Sequence, residues 1–208
     1  MARPYRTISG LGVSHVMLRG AEGRLIFQEP ADYKRFLFDL AEVRKCFGFK
    51  LLGYCLMDNH VHLLIQDTLG SLLQICALLS LRYTNWFNRK YDRCGYLFQD
   101  QFKSEAVVTD SYLLVVLLYL YMNPVKAGIC DLPQEYRWSS RRMLGAGALC
   151  DEAALFSIAP LESILARELR EIRERWRLEK PQQVASVENV KIFCSHDTKY
   201  DTIYRQAM

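Results

Sequence analysis

Long apolar runs are missing from this 208-residue chain. The richest, Tyr112 to Met122, is far shorter than the roughly 20 residues that cross a bilayer, and the opening MARPYRTISG has no apolar signal core. Membrane insertion and export are therefore not expected, and a cytoplasmic protein is. Paired cysteine motifs are missing as well. The seven cysteines are odd in number, show no C-x-x-C spacing and mostly sit inside apolar runs, which speaks against a disulfide framework and for reduced thiols. A strong charge of either sign is also absent: 27 Lys and Arg against 23 Asp and Glu leave a net +4, which permits a polyanionic partner without demanding one. There is no internal repeat. Half of the residues are hydrophobic, enough for one compact domain with an appendage.

Periodicity supplies the elements. Gly12 to Arg19 alternates small or polar with apolar residues as a strand does. From Pro30 to Gly48, Tyr33, Phe36, Leu37, Leu40, Val43 and Phe47 recur at helical spacing. Phe49 to Met57 and His60 to Gln66 are β-compatible runs joined by the turn dipeptide Asp58-Asn59. Leu69 to Tyr91 carries the helical stripe Leu72, Leu73, Cys76, Leu79, Tyr83, Trp86 and Phe87. Gly95 to Val108 suggests a turn and a strand. Asp110-Ser111 is a plausible N-cap for a helix from Tyr112 to Met122, which the Asn123-Pro124 step should stop because a residue before proline avoids the α region. The order β, α, β, β, α, β, α fits an α+β, ferredoxin-like split βαβ plan, an antiparallel sheet with helices packed on one face. Residues 1–145 form this domain; 146–208 form an extension in which Leu161 to Lys180 reads as a charged, ion-paired helix.

Two of the four histidines, His60 and His62, stand one residue apart in the third strand and so project from one face. Two neutral imidazoles at this spacing can reach one divalent ion, but a third ligand must come from elsewhere. Spacing alone serves a metal site and an ordinary pair of sheet histidines equally well. At the end of the last helix Tyr119 and Asn123 are four apart, so a helix stacks a phenol beside an amide oxygen that a hard or borderline cation accepts. Tyr112, seven residues before Tyr119, falls on the same face and is the second candidate nucleophile, whereas Tyr121 points elsewhere. Periodicity by itself does not separate Tyr119 from an ordinary core tyrosine.

Several runs occur together and in order: Gly53-Tyr54-Cys55-Leu56-Met57-Asp58-Asn59-His60-Val61-His62-Leu63-Leu64, Arg82 to Asn88, Gly95-Tyr96-Leu97-Phe98-Gln99, Phe102-Lys103-Ser104, Tyr119, Asn123-Pro124-Val125-Lys126-Ala127-Gly128 and Trp138-Ser139-Ser140. Across about residues 10 to 142 this pattern resembles the single-tyrosine HUH transposases, and within them the REP-associated tyrosine transposases. The resemblance implies that His60 and His62 are metal ligands, that Tyr119 attacks single-stranded DNA and that Asn123 completes the metal site. The implied cofactor is Mg²⁺ or Mn²⁺, since imidazole ligands favour Mn²⁺ and abundance favours Mg²⁺. The implied activity is nicking and rejoining of single-stranded DNA near stem-loops through a 5′-phosphotyrosine, with no small-molecule substrate, by a monomer or a homodimer. Arg19, Arg82, Arg89, Lys90, Lys103, Lys126, Arg137, Arg141 and Arg142 are the candidate phosphate contacts, and Trp86, Phe87 and Trp138 the candidate stacking platforms.

His15 also matches a familiar position of that family and is read as a satisfied sheet histidine; His196 falls outside the resemblance. The chain departs from its relatives at Asp58, where they usually carry proline and where a carboxylate is expected near the metal. It departs again at Asp100-Gln101, where Gly-Arg is familiar. Two other functional classes are compatible with these residues: a hydrolase that activates water on H-x-H, and a hairpin-binding module with weak or lost catalysis.

Overall fold

The computed structural model describes residues 11–99 and 102–144. Asp100-Gln101, the expected helix Leu161 to Lys180 and His196 lie outside the described residues. Four strands, β1 (Val13–Arg19), β2 (Lys50–Met57), β3 (His60–Gln66) and β4 (Lys103–Val107), and three α-helices, α1 (Pro30–Phe47), α2 (Leu72–Lys90) and α3 (Asp110–Lys126), follow one another as β1 α1 β2 β3 α2 β4 α3. All strand pairs are antiparallel and the spatial order is β2-β3-β1-β4. β3 thus sits inside the β1-α1-β2 unit and β1 inside β3-α2-β4, which is the interleaving of the split βαβ plan.

Local chemistry sets the element ends. Pro30 opens α1 with its φ already helical and without a missed hydrogen bond, while Asp32 reaches back to the backbone N–H groups of Gln28 at 2.7 Å and Glu29 at 3.1 Å. Gly48 closes the helix at φ +69°, a left-handed geometry that costs glycine nothing. The β2–β3 turn is held from two sides: Gly20 N–H donates to the Asn59 carbonyl at 2.8 Å, and the N–H groups of Ile26 and Phe27 donate to the Asp58 carbonyl at 2.8 and 3.0 Å. Gly20 allows this approach, because a Cβ there would stand 2.1 Å from the Arg24 carbonyl oxygen.

The last helix departs from expectation at both ends. Its cap is Thr109, whose Oγ1 accepts the Tyr112 N–H at 3.1 Å, so Asp110 and Ser111 belong to the first turn. The helix also runs through Pro124 to Lys126. A proline so close to the end removes one backbone bond, to the Leu120 carbonyl, and the chain still closes with Ala127 N–H on the Asn123 carbonyl at 3.0 Å. Within Gly95 to Val108, where a turn and a strand are expected, the strand among the described residues is Lys103–Val107, and Phe98 makes an isolated bridge to Gly20.

Leu51–Met57 and Val61–Ile65 are buried along their whole length, so the centre of the sheet is covered on both sides. One face, lined by Val16, Leu18, Val61, Leu63 and Ile65, matches the apolar stripes of α1 and α2, which pack on each other. The other face carries α3. Its contact with β2 is tight at Gly53, where a Cβ would meet Leu117 Cδ2 at 3.0 Å and the Tyr121 hydroxyl at 3.6 Å. After α3 the chain returns along β2. Leu56 N–H donates to the Trp138 carbonyl at 2.9 Å, Cys55 bridges Ser139, and Ser140 Oγ accepts from Tyr54 N–H at 2.9 Å while lying 3.2 Å from the Tyr121 hydroxyl. No described helix is long and apolar enough to cross a membrane.

Candidate active site

Strand register brings the candidate residues together. Met57 and Cys55 of β2 lie opposite His60 and His62 of β3, which in turn lie opposite Arg19 and Met17 of β1. Residues paired across an antiparallel ladder share a face, so the two histidines project beside Arg19 and Met17 on the side covered by α3. The ring centroids of His60 and His62 are 4.9 Å apart. From α3, Tyr119 sets its ring edge-on to His62 at 5.4 Å.

A third histidine completes the group. His15 lies two residues before Met17 on β1 and therefore reaches His62 diagonally; the rings stack at 5.2 Å with Nε2 of His15 3.0 Å from Nδ1 of His62. His15 also stands edge-on to Tyr119 at 6.0 Å. Strand parity places His15 on one of two faces, but only the β1–β3 register identifies its neighbour. Its partner within the sheet is thus a side chain, that of His62.

Burial governs the ionisation of these rings. Desolvation lowers His15 to about 4. His60 is lowered to about 4, first by desolvation and then by the Arg19 charge, with Asp58 opposing. Desolvation, followed by repulsion from His15 and His60, depresses His62 well below the ordinary histidine range. All three are neutral near pH 7, the form in which imidazole offers a lone pair. Burial also pushes the Tyr119 phenol up, offset in part by a hydrogen bond with the Asn123 side chain. Unaided, Tyr119 is thus a poorer nucleophile than tyrosine in water.

Two observations bear on a cation. Nε2 of His62 is buried and has no hydrogen-bond partner, an arrangement that native interiors rarely tolerate without a ligand. His60 is oriented from the turn: Asn59 Oδ1 lies 2.6 Å from Nδ1, and Asn59 Nδ2 is 3.5 Å from the Gly23 carbonyl. With the amide oxygen facing the ring, Nδ1 of His60 carries the hydrogen and Nε2 keeps its lone pair. The imidazole pair therefore fits a borderline divalent ion. Asn123 shares the helical face of Tyr119 as its spacing requires, and its Nδ2 donates to the Tyr119 carbonyl at 2.9 Å, which leaves Oδ1 as the ligand atom it can offer. Among the described residues no three His, Cys, Asp or Glu side chains form a metal cluster.

The Asp58 charge reaches His60, but its carboxylate is engaged on the far side of the turn. Its carboxylate accepts the Tyr33 hydroxyl at 2.6 Å, and Tyr33 is sandwiched between Phe27 at 4.2 Å and Trp138 at 4.4 Å. The departure from proline is absorbed by α1.

The basic candidates divide by location. Arg19 adjoins His60, Lys103 opens β4 opposite Met17, and Lys126 lies 5.4 Å over the Tyr119 ring, so three cations border the site. Arg82 is held by buried Asp39, which Arg35 also engages. Lys90 pairs with Glu29 at 2.6 Å and with Asp32. Those two cations tie α2 to the first turns and middle of α1. Arg89 is exposed at the end of α2, Arg137 covers the Trp138 ring at 4.8 Å, and Arg141 and Arg142 follow Ser140. Of the aromatic candidates, Phe87 is fully buried and Trp138 is 8% exposed against Tyr33, so both belong to the interior; Trp86 sits between Arg35 and Lys90. Tyr112 occupies the first turn of α3 with its N–H on the Thr109 cap.

A family described as "Transposase IS200 like" matches residues 11–122. Among solved structures, one described as the REP-associated tyrosine transposase bound to a REP hairpin superimposes with a TM-score of 0.56 at 16% sequence identity, covering 76% of this chain and 90% of the other. No curated protein matches the chain.

Proposed function

Because the chain belongs to the IS200-like transposases, we propose that it nicks and rejoins single-stranded DNA beside stem-loops, with Tyr119 as nucleophile and a divalent cation on His60, His62 and Asn123. The observation that carries this reading is the meeting of β3 and α3. Tyr119 lies edge-on against a buried His62 whose Nε2 has no hydrogen-bond partner. When bound, Mn²⁺ or Mg²⁺ would polarise the scissile phosphate and offset charge on its non-bridging oxygens.

The remaining work falls to the chain itself. His60 and His62, neutral through burial, present lone pairs from a rigid sheet; Arg19, Lys103 and Lys126 surround the reacting phosphate with positive charge. The Tyr119 oxygen attacks phosphorus, the bond to the 3′ oxygen breaks, and the phenolic proton is lost as the 3′ hydroxyl forms. The product is a phosphodiester between Tyr119 and the 5′ end. Since it remains a diester, a 3′ hydroxyl can reverse the step and rejoin strands without ATP. Tyr119 and Asn123 ride on one helix, so nucleophile and third ligand approach the DNA together. The hairpin named for the similar solved structure supports a stem-loop as the feature recognised here, and a cytoplasmic setting supplies both DNA and a reducing environment for the thiols.

The test is covalent capture. Single-stranded DNA carrying stem-loops from beside the protein's own gene, labelled on the 3′ side, is incubated with Mn²⁺ or Mg²⁺ and resolved in denaturing gels. Label retained by the protein, lost in Tyr119→Phe and His60→Ala and kept in Tyr112→Phe, is the expected result. Capture by Tyr112 overturns the nucleophile. Cleavage that survives Tyr119→Phe but not His60→Ala identifies a hydrolase, and hairpin binding without cleavage in either metal identifies a binding module.

A further inference from the structure

We propose that His15 is a positioning residue that holds His62 in the tautomer able to bind the cation. A 3.0 Å contact between Nε2 of His15 and Nδ1 of His62 needs one hydrogen and one lone pair, so two arrangements exist. If His15 donates, the hydrogen of His62 sits on Nε2, where it is buried with no acceptor. If His62 donates from Nδ1, Nε2 instead carries a buried lone pair. An orphaned N–H is the rarer and costlier defect in a folded interior, so His62 is the donor and His15 the acceptor. The direction that costs less is the one that arms His62 as a ligand.

Three further observations agree. His60 reaches the same tautomer by a separate route, donating Nδ1–H to Asn59 Oδ1 at 2.6 Å, so each imidazole of the pair is oriented through the nitrogen it does not offer. The two orienting groups come from different elements, β1 and the β2–β3 turn, and therefore fix the two rings independently. His15 also touches the Tyr119 ring edge-on at 6.0 Å, so the same side chain sets the spacing between ligand and nucleophile.

The inference rests on His62 being a metal ligand, and the tests separate the two claims. In metal-free full-length protein, long-range ¹H–¹⁵N correlation spectra tell protonated from unprotonated ring nitrogens. They should show His62 with hydrogen on Nδ1; hydrogen on Nε2 overturns the proposal whatever the protein does with metal. By calorimetric titration with Mn²⁺, His15→Phe, which keeps a ring but offers no acceptor, should bind about 10–100-fold more weakly. His15→Gln, whose Oε1 can stand where Nε2 stands, should recover most of that loss. Hairpin binding measured in chelator should be the same for all three proteins. If His60→Ala abolishes Mn²⁺ binding while His15→Phe leaves it intact, the positioning role is wrong and the metal site stands. If wild-type protein binds no Mn²⁺, both claims fall. Should His15→Phe not fold, the tautomer in the wild-type protein still decides.

Discussion

Removing the Asp58 carboxylate should weaken the fold and leave the metal site nearly unchanged. Asp58 Oδ1 accepts the Tyr33 hydroxyl at 2.6 Å, a short O–H···O bond to a charged acceptor. Such bonds contribute about 1.5–3 kcal/mol when enclosed. Here Tyr33 is buried, 7% exposed between Phe27 and Trp138, but Asp58 is exposed and water competes for it, which places the pair near the lower end. Asp58→Ala leaves a buried phenol with Tyr136 as its remaining side-chain partner and should cost about 1–2 kcal/mol. Tyr33→Phe leaves Asp58 to solvent and should cost about 1 kcal/mol. Denaturant unfolding of the two single variants and the double variant should give a coupling of about 1 kcal/mol, because each loss removes the same bond. The backbone carbonyl of Asp58, which holds Ile26 and Phe27, is unaffected by either change. Calorimetry should give a Mn²⁺ affinity for Asp58→Ala only slightly below that of wild type, the difference being the loss of its charge near His60. A coupling below about 0.3 kcal/mol, within the error of additivity, or a large loss of Mn²⁺ affinity would refute the reasoning and return Asp58 to the metal.

Other expectations follow from the same geometry. His15 and His60 are each depressed to about 4 from an unfolded value of 6.5, so the unfolded chain binds protons that the native one refuses. Stability is then full above pH 6.5 and falls as pH drops toward 4, by roughly 3 kcal/mol or less per ring; unfolding curves in chelator that do not move between pH 7 and 5 would contradict it. Gly53→Val should push α3 off β2, since even a Cβ meets Leu117 at 3.0 Å; a loss of about 1–3 kcal/mol with a slower covalent capture is expected, and unchanged thermal unfolding would count against the packing described. Ser140→Ala strips partners from the Tyr54 N–H and the Tyr121 hydroxyl and should cost about 1–3 kcal/mol in chemical denaturation, whereas Ser140→Thr, which keeps the oxygen, should cost less.

Sequence periodicity carried the fold a long way because strand alternation and helical stripes are imposed by burial. The two histidines share a face for that reason, and Tyr119 and Asn123 share another. What periodicity does not encode is which faces meet. That His15 lands on His62 depends on the β1–β3 register, a pairing between residues 47 apart in the chain. The fates of Arg82 and Lys90 depend likewise on carboxylates of a different helix, Asp39 and Asp32, so an outward-looking cation in the helical pattern becomes an interhelical tie. The ends of α3 differ from the periodic expectation through local competition: Thr109 caps ahead of Asp110-Ser111, and a proline in the final turn forfeits too little to stop a buried apolar helix. Asp58 stands near His60 as its place in the turn implies, but its bond to Tyr33 depends on α1 and is not encoded in the turn.

The segment that returns along β2 has a bearing on how copies of this chain can associate. β2 is an outer strand of the sheet, and an outer strand ordinarily offers its unpaired N–H and C=O groups to any passing strand. Here those groups at Tyr54 and Leu56 are occupied: by Ser140 Oγ at Tyr54, and at Leu56 by the Trp138 carbonyl on its N–H and the Tyr136 hydroxyl on its C=O at 2.6 Å. Growth of the sheet from one molecule into the next is thereby blocked on that side, so strand-to-strand aggregation through β2 would first require Tyr136 to Ser140 to peel away.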